Sequence, residues 1–181
     1  SVFGMVLFAL VAPFLMLLNP FFNRGPLFYV QKRVGKNGKE FNLIKFRSMV
    51  EDAEKNGARM SVRDDERVTP LGKLLRRSRM DELPQFWSVL KGEMNLIGPR
   101  PERKFFIDQW KHQLPQFESR HLIKPGITGW AQVKYEYAAS IEGARQKLRY
   151  DLYYIRHFTP LRDLVIIFLT IRVVLFGLGS R

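Results

Sequence analysis

Arg76-Arg77-Ser78-Arg79-Met80-Asp81-Glu82-Leu83-Pro84-Gln85 sets three arginines just before two adjacent acids and a proline. Beyond it, Leu83, Phe86, Trp87 and Leu90 recur at helical spacing, and Gly92 supplies a stop. Pro84 fits only the first turn of such a helix, where its missing N–H costs no hydrogen bond. The pattern predicts a short helix with Asp81 and Glu82 at or just before its N-terminus. Free N–H groups and the positive end of the helix dipole favour anions there. Two readings fit the decapeptide alone. One is a phosphate-handling site with a metal; the other is an acidic first turn with a solvated basic flank.

The next stretch, Gly92-Glu93-Met94-Asn95-Leu96-Ile97-Gly98-Pro99-Arg100-Pro101, favours the first. Pro99 and Pro101 restrict the backbone on both sides of Arg100. A stiffened guanidinium suits bidentate phosphate recognition.

Lys45-Phe46-Arg47-Ser48-Met49 lies upstream, and Pro125-Gly126-Ile127-Thr128-Gly129-Trp130-Ala131-Gln132-Val133 lies downstream. In this order the four motifs resemble the bacterial sugar transferases, the monotopic phosphoglycosyl transferases that load a sugar phosphate onto a polyprenyl phosphate. The resemblance spans nearly the whole chain. It implies an α+β fold, mainly helical, with a small β-hairpin, an N-terminal re-entrant membrane helix and interfacial amphipathic helices. It implies three regions: 1–23 in the membrane, 24–160 as a catalytic body on the cytoplasmic face of the bacterial inner membrane, and 161–181 as an interfacial helix.

The resemblance also assigns roles. Asp81 would be the nucleophile and Glu82 the ligand of Mg2+, which hard oxygen donors and phosphate suit. Spacing alone does not say which acid attacks. Arg76 and Arg100, the latter framed by Pro99 and Pro101, would clamp phosphate. Lys45, Arg47 and Lys124 are weaker candidates. Lys124 stands where the family often has arginine, so a forked contact would become a point charge. Asp151, in Tyr150-Asp151-Leu152-Tyr153-Tyr154, matches a family acid that either touches ligand or holds an arginine; the structural role is preferred. The implied donor is a UDP-sugar and the acceptor undecaprenyl phosphate, with UMP released. The Trp130–Tyr137 stretch and the Val173–Gly177 ending point to the exopolysaccharide-type members, and so to a UDP-hexose such as glucose or galactose.

Composition agrees with an anionic partner. The 181 residues carry 30 Lys+Arg against 17 Asp+Glu, a formal net charge of +13. Aromatic and apolar content exclude a disordered basic tail. Without cysteine there is no thiolate zinc site or cysteine nucleophile. His112, His121 and His157 have no metal-binding spacing. No Walker loop appears. A basic nucleic-acid-binding domain and a membrane-surface scaffold are the rival classes. The first leaves two apolar runs unexplained and carries no nucleic-acid signature; the second leaves the acid pair unexplained.

Val2 to Leu18 is uncharged and apolar, and as a helix would reach roughly 25 Å against a hydrocarbon core of ~30 Å. A span, a buried core helix and a re-entrant helix all fit; the resemblance selects the third, bent at Ala12-Pro13 where the family usually has Ser-Pro. Arg24, Lys32 and Arg33 place the following side in the cytoplasm. The chain opens on Ser1 rather than Met, so a trimmed chain or one missing upstream residues is expected; the resemblance to the exopolysaccharide-type members implies that the unit can be the C-terminal catalytic part of a longer membrane protein, and a homodimer stays open.

Pro26–Val34 and Lys39–Arg47 read as a hairpin around Asn37-Gly38, with Lys45 and Arg47 on one face and Phe46 on the other. Ser48 and Glu51 read as a capping box, opening a short helix to about Gly57. Arg59 to Arg67 reads as a loop. Thr69-Pro70 should open a helix through Arg77, with Leu71, Leu74 and Leu75 towards the core. Pro101 to Gln113 reads as a helix with Phe105, Phe106 and Trp110 on its apolar side. Pro125–Gly129 reads as a turn before a strand, Trp130–Val133. Ser140 should open a helix to about Arg156. Leu161–Leu178 contains Arg162, Asp163 and Arg172, which suits a helix lying along the headgroups. Tyr153, Tyr154, Phe158 and Trp110 would supply an aromatic belt.

Overall fold

The computed structural model describes residues 2–62, 64–135 and 140–176. The parts of the Trp130–Tyr137 and Leu161–Leu178 readings that fall on 136–137 and 177–178 lie outside them. The fold is mainly helical with one small antiparallel hairpin, as expected.

Helix α1, Val2–Phe22, stays helical through Pro13 and Pro20. At Pro13 the expected bend is therefore not a break in the helix. Its 21 residues make it long and apolar enough to cross a membrane. Gly4, Ala12, Leu15 and Asn19 form a buried stripe at helical spacing, while Phe3, Leu10, Phe14, Leu17 and Phe21 point outward. The stripe rests on the body along the whole helix. Gly4 lies close against the Phe86 ring, Phe8 stacks on Phe46 at 5.6 Å, and the Asn23 side chain just past the helix end donates to the Arg47 carbonyl at 2.9 Å.

Strands β1, Phe28–Val34, and β2, Glu40–Phe46, pair in antiparallel register from Phe28↔Phe46 to Val34↔Glu40. The turn between them places Asn37 at φ 57° and Gly38 at φ 74°, the left-handed conformations that Asn and Gly tolerate best. Phe46 joins Ala12, Leu15, Leu71, Leu75 and Leu83 in the core beneath α1.

Helix α2, Pro70–Arg77, starts as the sequence implies. The Thr69 hydroxyl accepts from the Gly72 N–H at 3.0 Å, a cap worth about 1 kcal/mol. Leu71 and Leu75 are buried, but Leu74 is exposed, because it faces away from α1. Between β2 and α2 the expected Ser48–Gly57 helix is absent. Ser48 instead accepts the Thr69 N–H on its carbonyl, Met49 bridges to Val68, and residues 51–57 form successive turns. Long-range partners have claimed the would-be cap.

A single 3₁₀ turn, Met80–Glu82, follows Arg79, whose φ is 57°. Helix α3, Gln85–Leu90, starts later than expected, with Pro84 as its N-cap. It buries Gln85 and Ser88 and leaves Trp87 and Leu90 largely outward, so of the expected apolar face Leu83, just before the helix, and Phe86 turn to the core. Strand β3, Asn95–Ile97, pairs in parallel with β4, Gly126–Thr128. Strand structure thus falls on the expected turn, and the expected strand is helix α5, Trp130–Lys134. Helix α4 is Lys104–Trp110. Helix α6, Ile141–Arg156, is capped by Ser140 as expected. With α4 and the 117–122 turn it encloses a second core of Val34, Ile107, Leu114, Phe117, Ala144 and Leu148. Helix α7, Pro160–Leu175, buries Ile166 and exposes Leu161, Leu164, Phe168, Ile171 and Leu175.

Candidate active site

The left-handed residue Arg79 and the 3₁₀ turn after it fold Asp81 and Glu82 inward, so both acids are buried. Their surroundings differ. Glu82 Oε1 accepts from Arg100 Nη2 at 2.5 Å and lies 3.5 Å from Lys45 Nζ. Burial pushes the Glu82 carboxyl up, but Arg100 and Lys45 outweigh it and hold it well below the usual carboxylate range. Glu82 therefore stays ionised. Asp81 Oδ1 is buried and has no hydrogen-bond partner. Burial, and then the neighbouring Glu82 charge, raise Asp81 to about 6, against the opposing pull of Lys45 and Arg76. One acid is a fixed anion, and the other retains an unsatisfied oxygen in a basic surround.

The cations are organised as well. Glu82 raises the Arg100 guanidinium above its ordinary value. Burial and Arg100 lower Lys45 to about 8, with Glu82 resisting, so Lys45 remains mostly protonated at neutral pH. Arg76 is oriented by two hydroxyls, Ser48 Oγ and Ser61 Oγ, each at 2.8 Å. Burial lowers its pKa, while Asp81 acts in the opposite sense, so the two groups sense each other.

These contacts lie on the residues that the motifs single out, and the agreement extends to the chain as a whole. Residues 1–177 match the family described as bacterial sugar transferase. The chain belongs to that family. It is 48% identical, over 87% of its length, to the UDP-N-acetylgalactosamine-undecaprenyl-phosphate N-acetylgalactosaminephosphotransferase of Aeromonas hydrophila, of which it covers 37%. It is 40% identical, over 81% of its length and 31% of the relative's, to the UDP-glucose:undecaprenyl-phosphate glucose-1-phosphate transferase of Xanthomonas campestris pv. campestris. The galactosyl transferase CpsE of Streptococcus agalactiae is 36% identical over 100% of the chain and 41% of its own length. The chain thus spans roughly a third of the length of these curated relatives.

Within this sugar transferase unit, three expected site residues stand elsewhere. Arg47 is buried, and its guanidinium donates to the carbonyls of Asn23, Arg24, Pro26 and Met49. It ties the end of α1 to the hairpin instead of facing the acids. The Lys124 amine stands against Gly92, beyond the far end of α3 from the acid pair. Asp151 is buried against Arg120, 2.7 Å from its Nη2. It holds an arginine, as preferred.

The sequence reading missed Arg120, Glu102 and Arg33. Arg120 Nη2 also donates to the Arg100 carbonyl at 2.9 Å, and Arg33 Nη1 donates to the Pro101 carbonyl at 3.0 Å. Glu102 lies 3.7 Å from Arg33 and 3.4 Å from Lys147. Gln85 was missed too: it is buried, and its Nε2 has no partner. Its place in the Asp-Glu-Leu-Pro-Gln motif was the available signal.

Among the described residues no three His, Asp or Glu side chains converge as a metal site. Mg2+ does not require such a cluster, since it keeps waters and binds through one or two carboxylates plus substrate phosphate. Two adjacent buried acids, one with an orphaned oxygen, fit that demand.

Proposed function

We propose that this unit transfers a sugar 1-phosphate from a UDP-sugar to undecaprenyl phosphate as the first membrane step of exopolysaccharide or glycoconjugate assembly. The observation that carries the reading is the unequal acid pair: Asp81 with a buried, unpartnered oxygen, next to a Glu82 neutralised by Arg100 and Lys45. The names of the three relatives add support, since two print an undecaprenyl-phosphate acceptor and all three print a sugar.

The chemistry runs in two displacements. An Asp81 carboxylate oxygen attacks the sugar-bearing phosphorus, the bond from that phosphorus to the bridging oxygen breaks, and UMP leaves with the electron pair. An oxygen of the prenyl phosphate then attacks the same phosphorus and releases the Asp81 carboxylate. A buried carboxylate with one oxygen that no donor reaches is a better nucleophile than one held by a salt bridge, so the ionic contacts of Glu82 assign it the supporting part. Arg100, Lys45 and Arg76 offset phosphate charge in a site where low dielectric strengthens each contact. Bound Mg2+, held through Glu82 with Asp81 nearby, would neutralise the diphosphate and assist departure of UMP.

A prenyl acceptor keeps its tail in lipid, so the site must lie at the interface. The outward apolar faces of α1 and α7 suit that position. Contacts from Gly4 to Asn23 fasten α1 to the body at both ends, which supports a helix that stays on one side of the bilayer, the cytoplasmic side by the basic residues after it.

Incubating the protein with magnesium and UDP-glucose, UDP-galactose or UDP-N-acetylgalactosamine, without acceptor, tests the mechanism. The correct donor should release up to one UMP per enzyme and add one sugar phosphate to the peptide holding Asp81. Turnover with acceptor but no trapped adduct, with kinetics requiring a ternary complex, would exclude the covalent route.

A further inference from the structure

The Pro99-Arg100-Pro101 backbone is gripped from outside the acid pair. Arg120 is 5% exposed and Asp151 2%, so their ion pair lies in the interior. Arg120 spends the same Nη2 on the Arg100 carbonyl, and its Nη1 lies 3.9 Å from Glu102. Its guanidinium also lies 4.9 Å over the Phe117 ring. The Pro99 carbonyl accepts the Gly126 N–H at 3.0 Å, and Arg33 holds the Pro101 carbonyl.

Burying this many charges is costly, and apolar replacements of similar volume often stabilise as well or better. Stability alone therefore does not account for a cation pointed at the carbonyl of residue 100. What the arrangement fixes is the origin of the Arg100 side chain, whose other end meets Glu82. Small displacements at a reacting centre carry large rate penalties.

We infer that Arg120, itself oriented by Asp151, is a positioning residue that sets Arg100 against Glu82 and the donor diphosphate. This deepens the proposed reaction and rests on it, but it does not depend on the covalent step. Arg120 touches neither Asp81 nor Glu82 in this arrangement; it acts through the backbone of residue 100.

A double-mutant cycle on the initial rate of UMP release, with acceptor present, tests it. Arg120→Lys should lower kcat about tenfold with a smaller change in donor KM, because a flexible amine lacks the rigid planar guanidinium that meets Asp151, the carbonyl and Glu102 while lying over the Phe117 ring. In an Arg100→Ala background the same change should cost less than about twofold, since the group being positioned is gone. Equal losses in both backgrounds, or an unchanged rate in the single variant, would overturn the inference. Should Arg120→Lys unfold, Asp151→Asn is read in the same cycle; it keeps an acceptor and removes the charge. Failure of the covalent reading would appear in the adduct experiment and leave these ratios readable.

Discussion

Arg100 Nη2 meets Glu82 Oε1 at 2.5 Å, while the adjacent acid Asp81 keeps a buried oxygen that no donor reaches. Two neighbouring carboxylates of similar intrinsic acidity are thereby driven apart, one held ionised and the other raised to about 6. Such divergence is how a site assigns different tasks to like groups. The 3₁₀ turn and the left-handed Arg79 make it possible, because they aim adjacent side chains into different surroundings.

Arg100→Lys should lose most activity although it keeps the charge. A rigid planar guanidinium becomes a flexible ammonium, and Glu82 loses the 2.5 Å contact to Arg100 Nη2. A charged hydrogen bond is worth roughly 1.5–3 kcal/mol, which corresponds to about a ten- to hundredfold loss of turnover. Steady-state UMP release measures it. A rate within threefold of wild type would remove Arg100 from the machinery.

Asp81→Asn should abolish the adduct and stabilise the fold. The folded pKa of about 6 lies above the ordinary 3.8. Below about pH 4 the acid is protonated in both states and makes no difference. Between about 4 and 6 the unfolded chain releases a proton that the folded chain keeps, so stability falls as pH rises. Above 6 the penalty is complete, at most about 3 kcal/mol for a shift of this size. Thermal melts without divalent ions should show the asparagine variant gaining on wild type from pH 4 to 7. A variant less stable than wild type at pH 7 would contradict the placement of Asp81. Adduct formation, which needs the ionised acid, should fail in the opposite sense, declining as pH drops below about 6.

The sequence exposed features that local chemistry decides. Ser140, Thr69-Pro70 and Asn37-Gly38 each act on a backbone group within a few residues, and the elements they predict are present. It misled where a distant partner intervened. Ser48 looked like a cap until Arg76 and Thr69 took its hydroxyl and carbonyl. Gly126–Thr128 became strand because Asn95–Ile97 lies beside it, a pairing that no local pattern announces. The same divide runs through the site. Asp81 and Glu82 were legible as neighbours, whereas Arg120 and Asp151 meet only because the 117–122 turn packs on α6.

Gly72→Ala should destabilise the protein and weaken the site together. A Cβ on Gly72 would collide with the Ser48 backbone carbonyl, and backbone on both sides leaves no side chain to yield. Forcing extra volume into such a contact costs typically 1–3 kcal/mol. Relief requires α2 to move away from Ser48, and Ser48 Oγ is one of the two hydroxyls that orient the Arg76 guanidinium. A lower melting temperature with a raised donor KM is the expected outcome. An unchanged melting temperature would show that the close approach of α2 to Ser48 is wrong.

Both ends of α1 should be reachable from the same side of the membrane. Its 21 residues reach roughly 31 Å, enough to cross, so length alone does not decide. The contacts do. Gly4 packs against Phe86 near one end, and at the other Asn23 donates to the Arg47 carbonyl and accepts from the Thr69 hydroxyl. Phe86, Arg47 and Thr69 all belong to the polar body. A helix crossing the bilayer would have to give up one set, leaving the buried Asn23 side chain with Asn19 as its remaining partner and its carbonyl oxygen without the Thr69 hydroxyl, or the Gly4 groove empty. Cysteines at Val2 and Arg24, both exposed, report the arrangement without touching those contacts. In sealed inside-out vesicles a membrane-impermeant maleimide should label both, and in right-side-out vesicles neither. Labelling of the two positions from opposite sides would establish a span and refute the one-sided arrangement. Since α1 runs helically through Pro13, Pro13→Leu should leave the pattern unchanged; on the one-sided reading the fastening at both ends, not a break in the helix, would hold it there.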